Sequence, residues 1–100
     1  MYTTDLGQPS GSIQGGYRPV VVVQNNLGNI YSDTVIVVPV TSRAKPIQPT
    51  HFSITLEEES TVLCEQIQTI ERDSLKKKIY YLSGEEMTLL NHALMSSLGL

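Results

Sequence analysis

Val20-Val21-Val22-Val23 and Val35-Ile36-Val37-Val38 are two β-branched runs, and Asn25-Asn26-Leu27-Gly28-Asn29 stands between them. β-Branched side chains fit a pleated sheet, and Asn and Gly accept the positive φ that tight turns require. The stretch is therefore predicted to form an antiparallel hairpin. Both runs are apolar at successive positions, so both faces of the ribbon need cover, as in a tight barrel or at a subunit contact. Pro39 has no amide proton to give a ladder, which places the end of the second strand at a sheet edge or bulge. A hairpin symmetric about Asn29 and Ile30 sets Gln24 opposite Val35 and Arg18 opposite Thr41.

Ahead of the hairpin, Gly7 to Gly16 is a loop rich in Gly, Pro and Ser. A loop of that length in a small domain is commonly functional, and this one is predicted to be ordered by a ligand. Ser42 to Pro49 is a second polar loop, carrying Arg43 and Lys45 and stiffened by Pro46 and Pro49. Strand patterns resume at Thr50–Leu56, Thr61–Cys64, Ile67–Ile70 and Ile79–Leu82, with Glu57-Glu58-Glu59 a solvated turn between two of them. The period then becomes helical. Ser83-Gly84-Glu85-Glu86 is a capping box, Met87, Leu90, Leu94 and Leu98 form one apolar stripe, and Gly99 is a stop. These segments imply a small, strongly bent, mostly antiparallel sheet covered on one face by a terminal helix.

One hundred residues make a single domain. The chain is 40% hydrophobic and 17% charged, which places it with folded rather than disordered proteins. Cys64 is its only cysteine, so no disulfide scaffold is available. No apolar run reaches the roughly 18–20 residues that span a bilayer, and Met1 to Asp5 lacks the blocks of a signal peptide. The expectation is a cytoplasmic protein with a reduced thiol and no membrane contact. The net charge of −3 argues against coating nucleic acid by bulk attraction. That charge is uneven: residues 1–51 hold three cations and two carboxylates, residues 52–100 four and eight. An anion site is expected in the first half.

No metal or cofactor motif is present. His51 and His92 stand at no zinc-ligand spacing from Cys64, and neither a phosphate-cradling loop nor a dinucleotide fingerprint occurs. Chemistry without a cofactor is expected. The register brings the Arg18 guanidinium and the Thr41 hydroxyl together where both polar loops begin, a suitable grip for one phosphate. The same residues also serve, respectively, as a solvated strand-entrance charge and a turn former.

Asp5-Leu6, Gly11-Ser12-Ile13-Gln14-Gly15-Gly16-Tyr17-Arg18-Pro19-Val20, Gln24 to Asn29, Ser32 to Val38, Pro49-Thr50-His51, Leu63-Cys64-Glu65-Gln66-Ile67-Gln68-Thr69-Ile70 and Ala93 to Leu100 occur in that order. This succession resembles the MazF/PemK-type toxins, the mRNA interferases of type II toxin-antitoxin systems. The resemblance runs through nearly the whole chain. It implies a mainly β fold with α, a small SH3-like barrel of mostly antiparallel strands with a C-terminal helix. It also implies a homodimer, a MazE-like antitoxin as partner, and metal-independent cleavage of single-stranded RNA or mRNA at short sequences by 2′-hydroxyl attack. The family's catalytic Arg and Thr correspond to Arg18 and Thr41. Ser12, Gln14, Glu65 and Gln66 match family positions near the RNA groove; Tyr17 is a base-stacking or packing residue, and His51 orders a loop.

The chain departs from the family at four points. It begins at Met1-Tyr2 where relatives carry an Arg-Gly-Asp/Glu segment, so residues 1–100 form one domain lacking the usual N-terminal residues. Ile13 replaces a frequent Glu, which removes a carboxylate, and Gln68 replaces a usual Arg, which removes a cation. The connection from His51 to Glu65 is short. Two alternatives follow: a catalytically weak or silent member that only binds antitoxin, and a CcdB-like topoisomerase-binding toxin. The second lacks the tryptophan that such binding uses, since the chain has none.

Overall fold

β2 (Tyr17–Val22) and β3 (Thr34–Thr41) form the central hairpin in a computed structural model of the chain, which describes residues 1–11, 13–23, 32–43, 45–46 and 48–100. Val20 pairs with Pro39, Val21 with Val38 and Val22 with Val37, the register expected from symmetry about Asn29 and Ile30. The turn at Asn25–Asn29 and the pairing of Gln24 lie outside the described residues. Alternation sends Val20, Val35 and Val37 into one buried cluster, and Val21, Val38 and Val40 into another with Phe52, Ile54 and Val62. A strand that is apolar at every position thus has a core on each face. Each fully buried valine contributes about 1.5–3 kcal/mol.

β3 changes partner along its length. Thr34–Val37 pair with β6 (Gln68–Glu71), and Val40–Thr41 pair with β5 (Glu59–Leu63). Pro39 lies at that change, and the strand end is not at a sheet edge as predicted: β3 is central and continues to Thr41. Val23 donates its amide to the Ile36 carbonyl at 2.9 Å. Ile36 and alternate residues therefore turn their backbone groups to β2, while Val37 and Pro39 turn theirs away. The missing proton of Pro39 falls in the gap between β6 and β5, where no ladder bond is due.

β4 (His51–Thr55) pairs with β5 along its whole length. The order is β1-β2-β3-β5-β4, with β6 on β3 and every pairing antiparallel. β1 (Tyr2–Asp5) has no counterpart among the predicted strands. Its sequence lacks an apolar period; pairing with β2 holds it, and buried Thr4 satisfies its hydroxyl on the Ser74 carbonyl at 2.8 Å. A 3-10 turn, Arg72–Ser74, follows β6. The predicted strand Ile79–Leu82 is irregular instead. Just before it Lys78 bridges Tyr2; the Ile79 amide donates to the Met1 carbonyl at 3.0 Å and the Met1 ammonium donates to the Tyr80 carbonyl at 2.6 Å, and Tyr80 and Leu82 then pack on the larger core.

α1 (Gly84–Leu98) packs on β4. The Ser83 hydroxyl accepts from the Glu86 amide at 3.1 Å, the Glu86 carboxylate accepts from the Ser83 amide at 2.8 Å, and Gly99 ends the helix at φ 73°. The buried stripe is narrower than predicted: Leu90 and Ala93 are buried and Leu94 half-buried, whereas Met87 and Leu98 are 44% and 59% exposed. Small Ala93 lets the helix approach closely at one patch, and the ends of the stripe rotate off the sheet. Among the described residues no helix is long and apolar enough to cross a membrane.

Candidate functional site

The loop between β1 and β2 holds itself in place. The Asp5 carboxylate accepts from the Gly7 amide at 2.8 Å, Gly16 donates to the Gly7 carbonyl at 2.7 Å, and Leu6 donates to Gly16 at 2.9 Å. Ser10 and Ile13 close its tip as a bridge. The described backbone of the loop is thus bonded to itself at several points. Gly15 is buried within it: a Cβ there would lie 2.4 Å from the Pro9 nitrogen and 2.6 Å from the Gly7 oxygen, both backbone atoms. Only glycine fits.

Arg18 is tied to this loop. Its Nε donates to the Gly15 carbonyl at 2.7 Å, and the half-buried guanidinium forms no ion pair among the described residues. The β2–β3 ladder reaches Val20 and Pro39, and two positions further in that register stand Arg18 and Thr41. Alternation puts both on the face of the ribbon that carries Val20 and Val37. On their other sides, Arg18 pairs with Thr4 and Thr41 with Thr61. Thr41 is 4% exposed, and its hydroxyl oxygen accepts from the Arg43 amide at 3.2 Å. That bond leaves the hydroxyl proton for another acceptor.

Gln14 donates its amide to the Gln66 side-chain oxygen at 2.8 Å, which joins the first loop to the turn after β5. Glu65, next on that turn, faces His51: Oε2 lies 2.8 Å from Nε2. The other ring nitrogen of His51 lies 3.2 Å from the Pro46 carbonyl, so the imidazole touches the second polar loop. Four predicted positions, Gln14, Arg18, Glu65 and Gln66, therefore lie along one connected polar edge, and Thr41 sits on the strand paired with β5. Ser12 lies outside the described residues. Tyr17 is 65% exposed and bonds Thr3 through its hydroxyl at 2.7 Å, so its ring is not core packing.

Cys64 is fully buried beside Glu65. Burial first, and the Glu65 charge second, push its thiol up to about 12, which keeps it protonated and inert. An open groove of about 620 Å³ runs past Tyr17, Arg18, Pro19 and Val40 to Glu57 and Tyr80. Gln14, Thr41, Glu65 and Gln66 do not line it, so among the described residues groove and polar edge meet at Arg18. Among the described residues no three His, Cys, Asp or Glu side chains cluster as metal ligands.

The chain as a whole has counterparts among known proteins. The sequence profile of the PemK-like, MazF-like toxins of type II toxin-antitoxin systems matches residues 1–98. The chain belongs to this family. It is 45% identical over 106 residues to the endoribonuclease MazF of Staphylococcus saprophyticus, a match spanning 100% of this chain and 88% of that protein. A mycobacterial endoribonuclease solved with its cognate antitoxin superposes with a TM-score of 0.84 at 28% identity, over 99% of this chain and 90% of that one. MazF of Deinococcus radiodurans, at 22% identity and a TM-score of 0.83 over 99% and 92%, shares the fold. For this PemK/MazF-like toxin, sequence reading undervalued Gly15. The available signal was a glycine pair directly ahead of Tyr17-Arg18.

Proposed function

We propose that this MazF homologue is a cytoplasmic, sequence-specific endoribonuclease that cuts single-stranded RNA without a metal, using Arg18 and Thr41 on the scissile phosphate. One observation carries the reading: a guanidinium fixed by Gly15, without a carboxylate partner among the described residues, in register with a strand-end hydroxyl. In the reaction the ribose 2′-oxygen attacks the adjacent phosphorus and gives up its proton. The 5′-oxygen leaves and is protonated, so the products are a 2′,3′-cyclic phosphate, or the 3′-phosphate that water makes of it, and a 5′-hydroxyl end. Charge builds on the phosphoryl oxygens as the pentacoordinate state forms, and a preorganised cation there lowers the barrier most. Arg18 supplies that charge and cannot act as the base. Thr41 donates to a phosphoryl oxygen. Gln14, Glu65 and Gln66 along the edge, together with Ser12 of the first loop, read unstacked bases.

The exposed apolar side chains Met95 and Leu98, one turn apart on α1, support a homodimer, because an apolar helix face open to water favours a partner. A MazE-like antitoxin would place an acidic segment against Arg18 and compete with phosphate. The test is cleavage of a long single-stranded transcript in EDTA, with the ends mapped. Cyclic-phosphate termini at a recurring short motif are expected. RNA binding without such ends marks a binding protein and overturns the enzymatic reading.

A further inference from the structure

His51 joins two segments that flank the recognition edge. Its Nε2 lies 2.8 Å from Glu65 Oε2, and its Nδ1 lies 3.2 Å from the Pro46 carbonyl oxygen. The His51 side chain is 6% exposed, that of Glu65 38%. The imidazole is thus a buried strut behind a carboxylate that reaches solvent. Both partners are acceptors: a backbone carbonyl and an ionised carboxylate have no proton to give. A neutral ring carries one N–H and satisfies one of them; the doubly protonated ring satisfies both at once.

The geometry points to His51 as a positioning residue for base recognition, holding Glu65 beside Gln66 and tying the Pro46 loop to the same edge. This rests on the RNA-cleaving reading above. Gln66 is itself fixed by the Gln14 amide, so His51 completes a chain from the first loop to the second.

The experiment uses RNA oligonucleotides carrying the mapped cleavage motif, and others altered by one base beside the scissile bond. kcat and KM are measured for the native chain, His51→Gln and Glu65→Gln. In both variants the ratio of kcat/KM between matched and altered RNA is expected to fall about tenfold below the native ratio, the size of one charge-assisted hydrogen bond, with the loss mainly in KM. A purely structural role would weaken cleavage of all RNAs alike and leave that ratio unmoved. Native discrimination in His51→Gln overturns the proposal. The 15N shift of the His51 ring gives a readout that needs no nuclease activity. It is expected to move at Nε2 in Glu65→Gln, whose exposed side chain is tolerated by the fold; an unmoved signal overturns the proposal even if no RNA is cut.

Discussion

Arg18 Nε and the Gly15 carbonyl oxygen lie 2.7 Å apart, and Gly15 has no room for a side chain. The cation therefore depends on a backbone that only glycine can provide. The nearest atoms to an added methyl group are main-chain atoms of Gly7 to Pro9, which cannot swing aside as a side chain would.

Gly15→Ala should therefore shift the loop and release Arg18. The expected cost is about 1–3 kcal/mol in stability, as for overpacking elsewhere, and on the order of a hundredfold in kcat/KM from misplacing a group by about 1 Å. Denaturant melts and initial cleavage rates on one RNA measure the two effects. Native activity in the variant would show that Arg18 needs no such anchor.

Leu90 is 2% exposed between α1 and β4, while Leu89 beside it is 47% exposed. Leu90→Ala is expected to destabilise the chain by about 2–5 kcal/mol, the range for a buried large-to-small change. Leu89→Ala in the monomer should stay within about 0.5 kcal/mol. Urea midpoints at low protein concentration check the pair. Equal effects would mean that the helix is seated differently.

The hairpin was legible because its information is local: two valine runs and one turn signal set both the pairing and the register. The capping box and Gly99 were legible for the same reason. β1 was not, since Tyr2 to Asp5 become a strand only when β2 offers an edge and Ser74 takes the Thr4 hydroxyl. Pro39 misled because a proline was read without the change of neighbours around it. At the site, Arg18 and Thr41 could be linked by counting along the hairpin. The contact of Gln14 with Gln66 joins residues far apart in the chain, and no local pattern encodes it. The role of Gly15 was hidden for the same reason, because its crowding comes from the returning loop.

Glu86 caps α1 and is held below its ordinary value of 4.5. Partial burial disfavours its charge, but the Ser83 amide and the hydroxyls of Tyr80 and Ser83 outweigh that effect. A depressed carboxyl group contributes stability that is fully present above its unfolded value and lost as pH falls through the folded one. Glu86→Gln keeps the acceptor oxygen and removes the charge. The native chain should exceed the variant in urea midpoint above pH 4.5, and the gap should close on acidification below it. A gap that stays constant to low pH would mean that the charge contributes nothing to the cap.

Single-turnover cleavage of one RNA in EDTA by the native chain, Arg18→Ala, Arg18→Lys and Thr41→Val, with circular dichroism to confirm folding, decides whether this pair grips the phosphate. Removing a charge donor from the transition state should cost about a hundredfold to a thousandfold in Arg18→Ala. Lysine should recover only part of that, because it lacks the planar fork, and Thr41→Val should lose about tenfold to a hundredfold. Folded Arg18→Ala cutting at the native rate would contradict the assignment outright.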